Sequence, residues 1–479
     1  MSQIIYSFEE FAKLKEELGS IESVRNLIGE KASYLSEAKS IGVNIPLGFI
    51  VSSNAYSKFN ENDAHQFPEE IYNEILNKIT EIENQTGLKY GSPENPLLLS
   101  CRCDCPQAMP GMLDTVLNIG MNDLICSKIE KMTKNRAYAF DSYRRVLQGF
   151  GSVVLKIPVE AFEDQLENYR ISRKKDNMAQ FTDVDWIEIV KLFKSVIMKK
   201  TGIPFPQDPH EQLKRILNSA YFSFESEKAK LYRNFIKMPD NFQPSLIISQ
   251  MVYGNNGPKS GACVMYSRNP MTGSNTIYGE YAVNCLVDDV SRGFFPYSDF
   301  EQMKTDLSTI EYNTIKETTE KIEKHFKEPE MVDFIVDKDK IYVLQIRPLP
   351  FQSTAKFTAV KDMAESGMIT KDEALSIIRT DDLKQLMLPQ LQTEKQLQPF
   401  CTGLSAGNGA ILGRICLTPE AVNKAKNHPV LVVKETVGHH LTQGIGPAHT
   451  VRVLKDAACL YNDPVLGPQI AVRVMDVLG

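Results

Sequence analysis

The chain has 479 residues and a formal net charge of −6, with 42% hydrophobic and 24% charged residues. This length is enough for two or three domains with cores of their own, and the small negative charge argues against a dedicated nucleic-acid or membrane surface. No apolar run approaches the roughly 20 residues of a membrane span, and the first residues lack a signal-peptide pattern, so we expect a cytoplasmic protein.

The first half of the chain is dominated by helical patterns. An initial helical stretch leads to a strand-like run at 46–51. Helix-period spacing of apolar residues then recurs at 69–88, 122–150 and 185–200. The charge-dense stretch 153–185 has only short apolar runs, which predicts an exposed helical insertion.

From residue 244 the pattern changes to short β-rich runs separated by Gly, Asn and Pro turns. The runs cover 246–253, 261–266, 277–281 and 340–345. They predict a mainly antiparallel sheet with helices, so the expected fold class is α+β.

Helical patterns return at 355–388, where Thr370 and Glu373 have the spacing of a capping box. Residues 400–479 show short strand patterns with Gly-rich turns. We therefore expect a helical linker followed by a small, separate α/β module.

The three alternate cysteines Cys101, Cys103 and Cys105 invite a metal interpretation. They directly follow a buried-strand pattern at 96–100, and alternation along a strand would place the three sulfurs on one face. Zinc sites usually take paired ligands on tight turns, with a second pair elsewhere, and the chain has no C-x2-C partner. We expect these three cysteines to fill a core as small apolar residues rather than to bind a metal. All nine cysteines are expected to be reduced thiols.

Binding of a nucleoside triphosphate needs cations and backbone N–H groups aimed at the phosphates, and carboxylates that hold Mg²⁺. Candidate cations are Lys31, Arg102 and Arg347. Taken singly, each is more typical of a solvated surface charge. Their surrounding sequence is what favours a functional interpretation.

Several stretches resemble pyruvate phosphate dikinases, in the family's order and over almost the whole chain. They are Lys31 with residues 41–49, and residues 109–120, 139–145, 205–209, 267–273, 278–281, 344–347, 369–375 and 386–390. The resemblance implies an ATP-grasp domain up to about residue 350, followed by a swivelling phosphohistidine domain. The chain is identified as a shortened and altered member of this family.

The family's architecture would divide the chain into five parts. They are an N-terminal lobe at 1–112, a helical insertion at 113–240, a C-terminal lobe at 241–352, a helical linker at 353–392 and a degenerate swivelling domain at 393–479. The family's pyruvate-binding TIM barrel needs ~250 further residues. We therefore expect no barrel in this sequence, and no binding of pyruvate or phosphoenolpyruvate.

The resemblance also implies roles for individual residues. Lys31, Arg102 and Arg347 would contact phosphates. Glu280 would lie near the nucleotide, Asp333 would lie at the metal, and Gln345 would serve both.

The sequence departs from the family at several of these positions. Glu30 and Ala32 flank Lys31 where the family has glycines, and a glutamate there repels a polyphosphate. Asp104 and Pro106 lie in what is a small, flexible, basic loop in the family.

Two further departures affect the expected metal and nucleotide sites. Asp333 replaces a glutamate, which shortens the expected metal ligand by one methylene group. Leu286 and Val287 replace glutamine and glycine. We expect at most weak Mg-ATP binding and no efficient phosphoryl transfer.

The family carries phosphate on a histidine, because imidazole nitrogen forms a labile phosphoramidate near neutral pH. Residues 403–413 and 429–436 resemble the start of the carrier domain. The best match then places Asp456 at the carrier position, before two alanines, and the nearest histidine, His449, lies seven residues upstream. The adjacent pair His439 and His440 is expected to face solvent rather than bind metal.

The sequence thus predicts a pseudoenzyme that is not active as a phosphotransferase. We expect a structural or scaffold component with protein partners in a larger assembly, such as a cytoskeletal or flagellar complex of a protist. The alternative from another class is an ATP-binding regulator or residual kinase that still uses Lys31, Arg102 and Arg347.

Overall fold

The computed structural model describes most of the first 385 residues and four short strands beyond them. The described ranges are 3–61, 66–107, 109, 113–239, 241–291, 295, 297–351, 353–385, 414–416, 430–432, 457–463 and 467–474. The chain divides into two compact units. The first unit comprises 1–265, 279–319 and 332–347, and the second comprises 266–278, 320–331 and 348–479.

A five-stranded antiparallel sheet forms one half of the first unit. The first seven strands of the chain are β1 (Ile5–Ser7), β2 (Gly48–Val51), β3 (Lys89–Tyr90), β4 (Pro96–Leu97), β5 (Leu99–Asp104), β6 (Thr115–Ile119) and β7 (Ser245–Gln250). The sheet order is β1-β2-β7-β5-β6, and every neighbouring pair is antiparallel. β5 pairs with β7 from Leu99 to Asp104 and with β6 from Leu99 to Arg102, so most of its backbone is held on both edges.

Eleven helices accompany this sheet in the described part of the first 240 residues. They are α1 (Phe11–Leu18), α2 (Ile21–Ile28), α3 (Glu30–Ser40), α4 (Ser53–Glu61), α5 (Glu69–Thr86), α6 (Asp123–Thr133), α7 (Arg136–Val153), α8 (Glu160–Ser172), α9 (Asp183–Thr201), α10 (Pro209–Phe224) and α11 (Glu227–Phe235). Side-chain N-caps such as Asn122, Asn135 and Asp208 start several of them. Six of these helices lie in the chain between β6 and β7, where the sequence predicts a helical insertion.

A second five-stranded sheet follows, and helices flank its strands in the chain. The strands are β8 (Gly261–Tyr266), β9 (Tyr278–Val283), β10 (Ser298–Asp299), β11 (Glu330–Asp337) and β12 (Lys340–Pro348), in the order β10-β9-β8-β11-β12. The helices are α12 (Val287–Ser291), α13 (Met303–Asp306) and α14 (Thr309–Phe326). The predicted mixture of helices and sheets is confirmed.

Three helices of the second unit lie in the stretch where the sequence predicts a helical linker. Its helices are α15 (Ser353–Glu365), α16 (Lys371–Ile377) and α17 (Thr380–Gln385). The Thr370–Glu373 capping box is confirmed: Glu373 N donates to Thr370 Oγ1 at 3.1 Å, and Thr370 N donates to Glu373 Oε2 at 2.7 Å. Val360, Met363 and Ile369 form the buried core that joins α15 to α16.

A wholly buried arginine, Arg268, lies at the centre of the second unit. Its Nε donates to Glu323 Oε1 of α14 at 3.0 Å, and its Nη1 donates to Asp362 Oδ2 of α15 at 2.5 Å. These ion pairs connect the loop after β8 with two helices that lie far apart in the sequence.

Four short strands complete the described chain. They are β13 (Arg414–Cys416) paired in parallel with β14 (Val430–Val432), and β15 (Ala457–Asp463) paired antiparallel with β16 (Gly467–Val474). Asp456, the residue at the predicted carrier position, lies outside the described residues, as do His439, His440 and His449. Within the described part of the chain, every helix is too short or too polar to cross a membrane.

Candidate functional site

Three elements of the first unit bring the predicted phosphate-binding cations together. Lys31 lies in the first turn of α3, Arg102 lies on β5, and Arg347 lies near the end of β12. Arg102 Nη1 donates to the Leu344 carbonyl oxygen at 3.4 Å, which connects β5 to β12. Burial lowers the pKa of Lys31, and the nearby charges of Arg102 and Arg347 lower it further. Lys31 therefore interacts electrostatically with both arginines.

Asp333, the predicted metal ligand, lies on β11 beside these cations. Its Oδ1 forms an ion pair with Arg347 Nη2 at 3.2 Å. Burial raises the pKa of Asp333, the positive charges of Arg347 and Arg102 lower it, and the carboxylate of Asp288 raises it again. The sequence interpretation did not single out Asp288, which is exposed on α12 and also interacts electrostatically with Arg102.

The remaining predicted residues lie at different distances from these cations. Gln345 is half-buried on β12, two residues before Arg347, so both side chains leave the same face of the strand. Glu280 is half-buried on β9 and lies opposite Asp299 of β10. Three strand spacings separate β9 from β12, so Glu280 lies on the order of 14 Å across the sheet from Arg347.

The carboxylate of Asp104 occupies the N-terminal end of α3. Asp104 Oδ2 accepts a hydrogen bond from the backbone N–H of Ala32 at 3.1 Å, and the Cys105 carbonyl oxygen accepts one from Glu30 N–H at 2.9 Å. Free N–H groups at a helix N-terminus are a natural binding place for an anion. Here, a residue of the same chain supplies that anion, from 72 positions further along the sequence.

Burial and the nearby positive charge have opposite effects on the pKa of Asp104. The residue is only 3% exposed, and burial raises the pKa of its carboxyl to about 6. The positive charge of Lys31 and hydrogen bonds from the Ala32 and Cys105 N–H groups lower this pKa, whereas the carboxylate of Glu30 raises it. Two acidic side chains thus lie beside the lysine that is predicted to bind phosphate.

Gly29 leaves room for the Asp104 carboxylate to accept the hydrogen bond from Ala32 N–H. It precedes α3 with φ +91° and ψ 165°, a conformation that is essentially restricted to glycine. A Cβ atom at this position would lie 2.6 Å from Asp104 Cγ and 2.7 Å from Ser245 Oγ. The turn and the Asp104 side chain are therefore packed against each other.

We expect Gly29→Ala to lower the free energy of unfolding by about 2–6 kcal/mol, since backbone strain and overpacking each contribute about 1–3 kcal/mol. Urea denaturation followed by circular dichroism measures this loss. The same substitution in an Asp104→Ala background is expected to cost about 1–2 kcal/mol less, because one clash is removed. Equal losses in both backgrounds would contradict the packing account.

The space next to Lys31 and Arg102 is small. A cavity of about 20 Å³ lies there, with a mostly apolar lining that includes Leu35, Ile247 and Leu344. This volume is enough for one water molecule and far too small for a triphosphate.

A larger cavity, of about 290 Å³, lies between the start of the chain and α5, and its lysines are already paired. Lys39 Nζ lies 3.9 Å from Glu9 Oε1, and Lys78 Nζ lies 3.0 Å from Glu81 Oε1.

A buried network of ion pairs connects α7 with α12. Asp141 of α7 pairs with Arg144 Nε at 2.8 Å and with Arg145 at 3.1 Å, and its Oδ2 accepts from Asn255 Nδ2 at 2.6 Å. Arg145 Nη2 pairs with Asp289 Oδ2 at 2.6 Å, and Asp289 Oδ2 accepts from Leu286 N–H at 3.0 Å.

This network anchors α12, the helix that carries Asp288 and Asp289. The sequence signal for part of it was present, because an acid and two arginines at spacings of three and four residues predict contacts on one helix. The partner Asp289 lies 144 residues from Arg145 and had no such local signal.

The described residues contain no group of three or more His, Cys, Asp or Glu side chains that could hold a metal ion. Two residues are predicted to lie at the metal. The buried carboxylate of Asp333 forms an ion pair with Arg347, and the side chain of Gln345 is a neutral amide. Cys101, Cys103 and Cys105 are all buried, and burial raises the pKa of each thiol.

Sequence comparison identifies the family of the domain that contains these cations. The model of the family described as "Pyruvate phosphate dikinase, AMP/ATP-binding domain" matches residues 25–290 and 294–368. The chain therefore belongs to the pyruvate phosphate dikinase family, whose nucleotide domain is of the ATP-grasp type.

Curated relatives agree with this assignment. Pyruvate, phosphate dikinase 2 of Zea mays is 34% identical over 400 residues, which cover 83% of this chain and 45% of the relative. The pyruvate, phosphate dikinase of Clostridium symbiosum is 32% identical over 456 residues, covering 93% and 51%, and that of Rickettsia typhi is 31% identical over 440 residues, covering 88% and 49%. The chain spans about half the length of the curated relatives it matches.

Proposed function

We propose that this protein is a pseudoenzyme of the pyruvate phosphate dikinase family, in which the ATP-grasp domain serves as a structural component of a larger assembly. The observation that carries the proposal is the Asp104 carboxylate, which caps α3 beside Lys31 at 3.1 Å from Ala32 N. A phosphate group at Lys31 would need the same helix N-terminus and would meet a negative charge already there.

The neighbouring groups support the same conclusion. Glu30 adds a second carboxylate at the first residue of α3, and the cavity beside Lys31 has room for one water molecule only. Arg347, which would neutralise a phosphate, is paired with Asp333. Each misplaced carboxylate could weaken polyphosphate binding by on the order of 1–3 kcal/mol, which is about tenfold or more in affinity. Asp456 at the predicted carrier position argues against phosphate transfer as well.

Calorimetric titration with Mg-ATP at neutral pH tests the proposal. We expect the wild-type chain to bind too weakly to be saturated by millimolar ATP, and Asp104→Ala to bind at least about tenfold more tightly. Asp164→Asn, which removes one exposed carboxylate from α8, is the matched charge control and should behave like the wild type. Low-micromolar binding by the wild type would overturn the proposal.

A second candidate function is an ATP-binding regulator, and the convergence of Lys31, Arg102 and Arg347 favours it. The two candidates differ in what Lys31→Ala does to partner association. A structural role predicts that a tagged Lys31→Ala chain recovers the same partners as the wild type, at the same yield, with or without added ATP. A regulator predicts that ATP changes the recovered partners for the wild type and leaves those of the variant unchanged.

A further inference from the structure

We propose that the cavity of about 290 Å³ between the start of the chain and α5 binds a small carboxylic acid with an aromatic or branched apolar body. Lys39 holds the carboxylate, and buried side chains contact the apolar body. None of the residues predicted to bind nucleotide or metal is among the described residues that line this cavity. The inference therefore does not depend on the proposed function.

The walls of the cavity come from four parts of the first unit. They are residues 7–9 at the end of β1, Lys39 of α3, residues 45–49 at the start of β2, and the later turns of α5. Ser7 and Phe49 are partners in the antiparallel pairing of β1 with β2. Paired backbone thus holds two of the walls next to each other.

The floor of the cavity is apolar. Phe8, Ile45, Phe49 and Ile82 line it, and each is at most 4% exposed. An enclosed apolar cavity of about 150 Å³ takes up benzene, so this cavity has room for one ring and a short acidic chain. Ligand sites in proteins combine such apolar walls with a few polar groups that fix the orientation of the ligand.

The charged residues of the cavity favour an anion over a cation. Lys39 and Lys78 are only 28% and 25% exposed, whereas their acidic neighbours Glu9 and Glu81 are 59% and 56% exposed. The cation is therefore the more deeply buried member of each pair, and the carboxylates have access to water. Ion pairs with such exposed partners are weak, so a carboxylate ligand can replace them.

Lys39 is the better anchor of the two lysines. Its Nζ lies 3.9 Å from Glu9 Oε1, which is too long for a hydrogen bond, whereas Lys78 Nζ donates to Glu81 Oε2 at 3.0 Å. An ammonium group has three N–H donors, and a carboxylate is a strong acceptor for them. A bound acid therefore gives Lys39 a closer acceptor than Glu9 does.

The cavity adjoins the small cavity beside Lys31. Phe8, Ile45 and Pro46 line both of them. Because Lys31 and Arg102 could attract an organic acid as well, the experiment has to show which cavity takes it.

The experiment is a ligand-observed NMR titration of the full chain with hydrocinnamate, without nucleotide. Hydrocinnamamide and phenylpropylamine are the neutral and cationic probes with the same ring and a chain of the same length. We expect the acid to bind about tenfold or more tightly than the amide, because only the acid forms a charge-assisted hydrogen bond with Lys39. The amine should bind more weakly than the amide. Acetate, which has the charge without the apolar body, should bind about tenfold or more weakly than hydrocinnamate.

Four variants test the role of Lys39. Lys39→Met keeps the aliphatic stem and should weaken binding of hydrocinnamate about tenfold, with a much smaller effect on the amide. Lys39→Gln serves as a second variant if Lys39→Met folds poorly. Glu9→Gln should tighten binding of the acid by up to about fivefold, because it removes the competing carboxylate. Lys191→Met removes an exposed cation from α9 and is the matched control, which should bind like the wild type. Thermal melts establish that each variant is folded.

Equal affinity for the acid and the amide would overturn the inference, and so would wild-type affinity in Lys39→Met and Lys39→Gln. Tighter binding of the amine than of the acid would assign the cavity to a cation instead. Loss of binding in Lys31→Ala, with binding unchanged in Lys39→Met, would place the acid beside Lys31 and contradict the assignment. Failure of hydrocinnamate to bind below about 10 mM would also contradict it. The Mg-ATP titration tests the proposed function separately, so the two can fail independently.

Discussion

Asp141→Ala is expected to lower the free energy of unfolding by about 3–5 kcal/mol, because it removes the anion shared by two buried arginines. Asp141, Arg144 and Arg145 are each less than a tenth exposed. Without Asp141, Arg144 keeps a distant ion pair, 3.9 Å to Asp289, and a long hydrogen bond, 3.4 Å to Gln148 Oε1, and Asn255 loses its acceptor. An uncompensated buried charge is among the most destabilising changes a single substitution can make.

The pH dependence of stability is an independent test of the role of the Asp141 carboxyl group. Burial would raise the pKa of Asp141, but the charges of Arg145 and Arg144 outweigh it and hold this pKa below its ordinary value. Since the folded pKa is depressed, Asp141 stabilises the fold at neutral pH, and this contribution is lost as the pH falls below the ordinary range of an aspartate. Asp141→Ala should therefore flatten the acid side of the stability profile.

Chemical denaturation of the two chains between about pH 3 and pH 8 measures both effects. Asp164→Ala, on the exposed face of α8, is the control and should change stability by less than about 0.5 kcal/mol. A loss below about 1 kcal/mol for Asp141→Ala would show that Asp289 alone satisfies both arginines.

Arg268→Met is expected to destabilise the second unit by a similar amount, about 3–5 kcal/mol. The substitution keeps much of the aliphatic volume but leaves Glu323 buried without its cation. Burial already raises the pKa of Glu323, and the charge of Arg268 lowers it, so loss of Arg268 should raise this pKa further. Asp362 loses the same partner, but its side chain is 45% exposed and water can solvate it.

Hydrogen exchange of the backbone amides in α14 and α15 measures this effect where it is expected. Adding Glu323→Gln to Arg268→Met should restore part of the stability, because a neutral amide replaces the unpaired carboxylate. Lys361→Met removes an exposed cation from the same helix α15 and should leave exchange unchanged. Wild-type exchange rates in Arg268→Met would show that the buried ion pairs do not hold these helices.

The sequence predicted the parts of the fold that depend on neighbouring residues. The run at 261–266 has the bounds of strand β8, and the Thr370–Glu373 spacing gave the start of α16. Both signals are local, since strand alternation and a capping box involve residues within a few positions of each other. Family resemblance placed Lys31, Arg102 and Arg347 in one site, and in the structure Lys31 interacts electrostatically with both arginines.

Contacts between residues that lie far apart in the sequence could not be predicted from the sequence. The sequence interpretation recognised that Asp104 brings an unfavourable charge, but not that its carboxylate caps α3, which depends on the pairing of β5 in the sheet. Arg268 was noted only as part of a family motif, and its burial between α14 and α15 follows from helix packing. Asp288 belongs to no recognised sequence motif. Its position follows from the hydrogen bond and ion pair that hold its neighbour Asp289.

The thiols of Cys101 and Cys103 on β5, and of Cys105 directly after it, can report the separation of this strand from the sheet. Each of these cysteines is at most 2% exposed, and they alternate with Arg102 and Asp104 in the sequence. An alkylating reagent reaches such thiols only when the strand leaves its neighbours, because a buried sulfur is neither ionised nor accessible. The rate at which the native protein is labelled at these positions therefore measures how often the strand that carries Arg102 separates from the sheet beside the candidate site. A ligand that fills the site should slow that labelling in proportion to its occupancy.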